Sequence, residues 1–144
     1  MANKPAVTPF QMAARITERA DNRIFKKQYI YEILQMYMEE VQKALLRGER
    51  VLIAGVGTII PDVKTIEKFP LQVCNKEGGN PPFTYMRMTR NEHFMKKMNQ
   101  TLMKNIENGI YGLEEIPFTE EQMEYLKEKG FVPQDAKLPD EEEE

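Results

Sequence analysis

The stretch from about Lys26 to Arg47 constrains the fold of this chain more than any other, because it has the pattern of a long amphipathic helix. Its apolar side chains recur along one face at helical spacing, and Gly48 provides the expected stop. The face consists of Ile30, Ile33, Leu34, Tyr37, Met38, Val41, Ala44 and Leu45. The neighbouring sequence predicts only one short helix and a small sheet, which are too little to cover this face.

A second copy of the chain is therefore the expected cover. At about 25 cal/mol per Å² of apolar surface, leaving such a face in water would cost several kcal/mol, which is comparable to the stability of a whole domain. We expect a monomer to expose Tyr37, Val41, Leu45, Val56 and Ile59. The sequence thus predicts an obligate dimer, of identical chains or of paralogues, with a core of Ile33, Leu34, Tyr37, Val41, Leu45, Val56, Ile59 and Phe94.

Three further helices are predicted. Thr8 fits an N-cap, and the proline that follows it fits the first helical position. Thr119 and Gln122 fit the capping box of another helix. The turn after the first helix contains Ile24 and Phe25, which we expect to pin that helix to the long one. The predicted spans are residues 9–20, 90–106 and 119–129.

Between the long helix and the third helix the pattern changes to that of short strands. Gly55 and Gly57 mark a tight turn between the first two strands. The segment 61–82 contains prolines, adjacent glycines and charged residues, a composition that suits an extended, exposed hairpin better than a compact interior. The predicted strands are residues 50–53, from 58 onward, and 83–88, which gives an α+β fold.

No motif indicates catalytic or cofactor chemistry. The Gly55-x-Gly57 pair matches part of a dinucleotide-binding fingerprint, but that fingerprint needs a third glycine where Ile60 stands, and a helix where a strand is predicted. His93 and Cys74 lack the partner residues of a zinc site or a nucleophilic centre. We therefore expect no enzyme, no cofactor and no metal site.

Charge is distributed unevenly along the chain. Residues 1–106 hold 17 Lys and Arg against 10 Asp and Glu, a net charge of +7, whereas residues 107–144 hold 3 Lys against 13 acids, a net charge of −10. A basic body attracts polyanions, and an acidic tail can compete for the same surface. The tail is also too apolar to serve solubility alone, so residues 107–131 are a candidate docking segment for a protein partner. Its apolar anchors are Ile110, Tyr111, Leu113, Ile116, Phe118, Met123, Leu126 and Phe131.

The order of the elements and two local motifs resemble the bacterial histone-like family of HU and integration host factor. The run from Ala44 to Ile59 is similar to the family's helix end, G-E-K-V strand and G-F-G-T-F turn. The run from Met88 to Phe94 is similar to the entry of the family's third helix, usually F-x-P-G-K-x-L. The resemblance covers about residues 8–100, and the spacing from Thr58 to Met88 is close to that of the family's arms.

The resemblance implies an intertwined dimer with two β-arms that reach around DNA in the minor groove, where a proline near each arm tip enters a base step. It divides the chain into a flexible N-terminus at 1–8, an HU-like domain over 9–106 with its arm at about 61–82, and an acidic extension over 107–144. Lys and Arg side chains would hold phosphates without reading sequence. The implied DNA-binding residues are Lys43, Arg47, Arg50, Lys64, Lys68, Pro70, Lys76, Arg87, Arg90, Lys96, Lys97 and Lys104.

The arm differs from the family's arginine-rich arm, because residues 61–82 carry three lysines against three acids and have no net charge. Two prolines are candidates for its tip. Pro70, between Phe69 and Leu71, makes a plausible apolar wedge, whereas Asn80-Pro81 matches the family's R-N-P locally.

We therefore expect an architectural protein that binds duplex DNA as a dimer, bends or compacts it, and has little sequence preference. The alternative is a protein of the same fold that binds a protein partner instead of DNA, for instance in a virus particle; the neutral arm and the extension favour it. A third interpretation is a polyanion-binding regulator that its own tail switches off. No apolar run approaches the ~20 residues that span a bilayer, and no secretory signal is recognisable, so we expect a cytoplasmic, nucleoid-associated protein, or a virion component if phage-encoded.

Overall fold

The computed structural model describes residues 5–68, 70 and 75–139 of the chain. Its helices are α1 (Pro9–Thr17), α2 (Lys27–Leu46), α3 (Glu92–Glu107) and α4 (Glu120–Glu128). Its strands are β1 (Val51–Ile53), β2 (Gly57–Lys64), β3 (Phe83–Arg90), β4 (Gly112–Leu113) and β5 (Ile116–Pro117). The prediction of a mixed fold of helices and antiparallel strands is confirmed. None of the helices in this part of the chain is both long and apolar enough to cross a membrane.

The chain divides into two compact units, and the boundary falls between Thr89 and Arg90. The first unit contains α1, α2 and the sheet of β1, β2 and β3. The second contains α3, β4, β5 and α4. The division that the sequence predicts, after residue 106, remains a prediction, and its terminal segments 1–4 and 140–144 lie outside the described residues.

A local capping box begins α1, as the sequence predicts for its N-cap. The Thr8 hydroxyl accepts a hydrogen bond from the Gln11 backbone N–H at 3.3 Å, and the Gln11 side chain accepts one from the Thr8 backbone N–H at 2.9 Å. The helix is nine residues long and ends at Thr17, three residues before the predicted end. Side-chain hydrogen bonds mark a capped N-terminus in the sequence, whereas helix C-termini fray and their assigned ends vary by one or two residues.

The expectation that Ile24 and Phe25 pin α1 to α2 is wrong, because Ile24 is 82% and Phe25 60% exposed. The turn is held by a polar side chain: the Asn22 amide donates to the carbonyl of Phe25 at 2.9 Å, and its oxygen accepts from the backbone N–H of Phe25 at 3.0 Å. The apolar contact between the helices comes from elsewhere. Phe10 and Tyr31 pack edge to face with ring centroids 5.3 Å apart, beside the buried Ala13.

Helix α2 buries one side and leaves another apolar side in water. Ile30 and Val41 are buried within the single chain, so the expectation that a monomer exposes Val41 is wrong. The reason is geometric, because Val41 lies three turns beyond Ile30 on the face that the chain's own elements cover. The side that stays exposed, called the α2 stripe from here on, consists of Tyr29, Ile33, Met36 and Tyr37.

The predicted glycine turn joins β1 to β2. The two strands are antiparallel, with Val51 opposite Ile59 and Ile53 opposite Gly57, and the Val56 N–H donates to the Ile53 carbonyl at 2.9 Å. Gly57 is buried where the start of β2 meets the end of β3. A Cβ atom added there would collide with the backbone carbonyl oxygen of Thr89, so this position requires glycine for space.

We expect Gly57→Ala to lower the free energy of unfolding by about 2–3 kcal/mol, because the backbone of β3 must move to admit the methyl group. Gly55→Ala is the matched control: its Cβ meets no atom within 4 Å, and only its left-handed φ of 76° carries a cost of about 1 kcal/mol. Urea denaturation followed by circular dichroism measures both. Equal losses for the two variants would contradict the close approach of Gly57 to Thr89.

The second unit has its own small core. Met123, Val132 and Ala136 are buried, and partly buried apolar residues from α3, from α4 and from the segments that follow each of them pack against this core: Ile106, Tyr111, Phe118, Leu126 and Leu138. The predicted capping box of α4 is confirmed, since the Thr119 hydroxyl accepts from the Gln122 backbone N–H at 3.2 Å. The Asn105 side chain donates to the Gly112 carbonyl at 3.0 Å and ties α3 to β4. The described part of the acidic extension, up to residue 139, is thus packed together with α3.

Candidate nucleic-acid interface

The cations at the C-terminal end of α2 are exposed but partly engaged by acids. Lys43 contacts a Glu40 carboxylate oxygen at 3.0 Å, and the Arg47 guanidinium contacts Glu49 at 2.8 Å. The Arg47 hydrogen bond lowers the pKa of Glu49 below its ordinary value. Exposed pairs of this kind are weak, so they can open when a phosphate competes for the cation. Arg50 is also exposed, in the turn that leads into β1.

A second group of charges lies on one face of β2 and β3. Lys64 stands 5.9 Å from the centre of the Tyr85 ring, and the Tyr85 hydroxyl donates to the Asp62 carboxylate at 3.1 Å. The backbone N–H of Val63 and the Tyr85 hydroxyl, with the charge of Arg87 nearby, lower the pKa of Asp62 below its ordinary value. The sheet thus combines the predicted cations Lys64 and Arg87 with the carboxylate of Asp62, whose lowered pKa favours its charged form. The sequence prediction of cations did not include this acid.

The arm is organised at its base by the side chain of Asn80. Its amide nitrogen donates to the carbonyls of Ile66 at 3.4 Å and Glu67 at 3.1 Å, and its oxygen accepts from the Lys76 backbone N–H at 3.2 Å. Asn80-Pro81 therefore lies beside residues 66–67. Lys68, Pro70 and Lys76 are exposed. The predicted flanks of the wedge, Phe69 and Leu71, lie outside the described residues, as does Cys74.

The second unit carries the predicted cations of α3. Lys96, Lys97 and Lys104 are exposed, and within the described ranges none of them pairs with a carboxylate. Arg90, the last residue of β3, is exposed as well. Asn91 is the N-cap of this helix, and its side-chain oxygen accepts from the Phe94 N–H at 2.9 Å. This cap follows the ordinary preference of asparagine for the N-cap position, a signal that the sequence contained.

The predicted dimer-core positions differ in exposure within the single chain. Ile33, Tyr37 and Val56 are exposed, with Ile33 at 55%. The half-buried positions are Leu34, Leu45, Ile59 and Phe94. Exposed apolar side chains on a well-formed helix indicate a surface that a partner covers. The α2 stripe is an exposed apolar surface of the first unit. Its covering by a second chain remains a prediction.

No protein-family model matches the chain, and no curated protein matches its sequence. Among solved structures, the chain is similar to the HU protein of Anabaena, determined as a cocrystal with DNA, with a TM-score of 0.50 and 15% sequence identity. The match covers 64% of this chain and 97% of the HU chain. The chain therefore has an HU-like fold, and the resemblance predicted from its motifs is confirmed at the level of the fold.

Proposed function

We propose that this chain is an architectural DNA-binding protein that acts as a dimer and holds duplex DNA mainly by its phosphates. The observation that carries the proposal is the HU-like fold, matched over 97% of an HU chain that was crystallised with DNA. The proposed action is physical and not catalytic: the protein bends or compacts the duplex, and sequence matters through deformability.

The distribution of cations supports this proposal. Exposed lysines and arginines occur in three places: the end of α2, the face of β2 and β3, and α3. Each phosphate that such a side chain neutralises releases counterions and adds affinity without reading bases. The lysines of α3, which pair with no described carboxylate, need break no ion pair before they bind.

The proposal assigns the wedge role to Pro70. The hydrogen bonds of Asn80 to Ile66 and Glu67 support this choice, because they put Pro81 level with the start of the arm, whereas Pro70 is further along it. An exposed apolar side chain near the end of an arm is what a kinked base step accepts.

We expect Asp62→Asn to raise affinity for duplex DNA about two- to fivefold at low salt. The substitution removes a negative charge beside Lys64 and Arg87, and the Asn oxygen can still accept from Tyr85. Because the pKa of Asp62 is already lowered, the gain should be the same in neutral and mildly acidic buffer. Glu18→Gln, which neutralises an exposed acid at the end of α1, is the control and should change affinity little. An equal gain in affinity for Asp62→Asn and Glu18→Gln would contradict DNA binding by the face of β2 and β3.

An electrophoretic shift with a mixed-sequence duplex, at low and at moderate salt, tests the proposal. We expect a shifted complex at low salt that weakens steeply as salt is added. The second candidate, an HU-like protein that binds a protein partner instead of DNA, is favoured by the net zero charge of residues 61–82. Absence of a complex at low salt, from protein that is folded and dimeric, would favour that candidate and overturn the first.

A further inference from the structure

The second unit contains a cavity of about 500 Å³ between the C-terminal half of α3 and α4, called the α3–α4 groove from here on. Its lining is mainly apolar and includes Leu102, Met103, Ile106, Phe118, Tyr125 and Phe131. The volume lies within the range of specific binding sites in proteins. None of these lining residues belongs to a strand, so the groove offers side chains and no free strand edge.

The groove is preformed, because it rests on packed residues. Leu126 lines it and also packs against the buried Met123 and Val132. Three large apolar side chains nevertheless remain in water around the opening: Met103 is 47% exposed, and Tyr125 and Phe131 are each 56% exposed. Exposed apolar surface that is held in place by a packed core is typical of a protein-binding site.

The edge of the groove is acidic. Glu121 belongs to the lining, and Glu128 lies two helical turns further along the same edge of α4. Glu107 follows Ile106 on the opposite wall. The Lys129 ammonium lies 5.9 Å from the centre of the Tyr125 ring. The whole second unit, residues 90–144, holds 7 Lys and Arg against 14 Asp and Glu, a net charge of −7.

We propose that the α3–α4 groove binds an amphipathic helix of a partner protein that carries basic residues on either side of its apolar face. The apolar walls suit side chains at positions i, i+3, i+4 and i+7 of such a helix, and two helical walls without a strand edge favour this mode over added-strand pairing. The acidic edge and the charge of −7 select lysine and arginine at the flanks. This site is independent of the proposed DNA binding.

Binding of a synthetic helical peptide to the full chain tests the proposal. The probe has about three turns, leucines at the i, i+3, i+4 and i+7 positions, and lysines on both flanks; a second peptide has glutamates in place of the lysines. Fluorescence anisotropy in the absence of DNA gives both affinities. We expect the lysine peptide to bind about tenfold or more tightly than the glutamate peptide, and Glu121→Gln with Glu128→Gln to reduce that preference.

Met103→Ser should weaken binding of the lysine peptide by about tenfold. Ile110→Ser is the matched control, because Ile110 is 49% exposed in the same unit but does not line the groove, and it should leave affinity within about twofold. Tyr125→Ser replaces Met103→Ser if circular dichroism shows that the latter fails to fold. If neither Met103→Ser nor Tyr125→Ser weakens peptide binding, the peptide is held by the acidic tail and not by the groove, which would overturn the proposal. A change in the sedimentation of the free protein in Met103→Ser would assign the groove to a second copy, which also overturns it.

Discussion

Ile33→Glu should abolish the dimer and with it most of the folded population at micromolar concentration. Ile33 is 55% exposed in the single chain and lies in the α2 stripe with Tyr29, Met36 and Tyr37. In an HU-like dimer this stripe is proposed to lie against the partner, where an unpaired carboxylate would cost several kcal/mol. That cost is comparable to the whole stability of a small domain. Sedimentation equilibrium and circular dichroism measure the two effects.

Gln35→Glu is the matched control for this substitution. It introduces the same charge into α2, on the side of the helix away from Ile33, and Gln35 is exposed there. Its only described side-chain contact is a hydrogen bond to the Tyr31 hydroxyl at 2.9 Å, so we expect the dimer to persist. A folded monomer of the unmodified chain at micromolar concentration would contradict the obligate dimer.

Lys96→Ala combined with Lys97→Ala should weaken binding to every duplex by about tenfold or more at low salt. Both side chains are exposed on α3 and are proposed to contact phosphates, so their loss removes counterion release and flattens the salt dependence. The measurement is a titration of several duplexes at two salt concentrations. A loss confined to one DNA sequence would contradict phosphate contacts and would indicate base readout instead.

Glu49→Gln should change the affinity for DNA in the opposite direction to the lysine substitutions. It releases Arg47 from the ion pair at 2.8 Å, at the end of α2, and adds no cation. If phosphates compete with Glu49 for Arg47, the affinity of Glu49→Gln for DNA should rise slightly under the same conditions in which the double lysine variant loses affinity.

Features that depend on neighbouring residues could be predicted from the sequence. The N-cap at Thr8, the capping box of Thr119 and Gln122, and the stop at Gly48 each involve residues within one helical turn, and the structure confirms them. The glycine turn before β2 follows from composition in the same way. The motifs of this turn and of the entry to α3 carried the resemblance to the HU fold, even though sequence identity to the Anabaena protein is only 15%.

Features that depend on distant residues could not be predicted. Asn80 bridges to Ile66 and Glu67, which lie more than ten positions earlier, and an amide with several possible partners gives no sign of its choice in the sequence. The exposure of Ile24 was mispredicted because an asparagine, not an apolar pair, holds the turn. Similarly, the apolar residues after 107 do not reveal that they pack with Ile106 of α3.

DNA-backbone binding is tested by the affinity of the intact protein for a mixed-sequence duplex, measured as a function of salt concentration. We expect log K to fall linearly with log salt, with a slope steeper than about −3, since each neutralised phosphate contributes about −0.9. We also expect duplexes of different sequence to give nearly the same slope. A folded dimer that fails to bind at low salt, or binds with a slope near zero, would contradict DNA-backbone binding as the function of this chain.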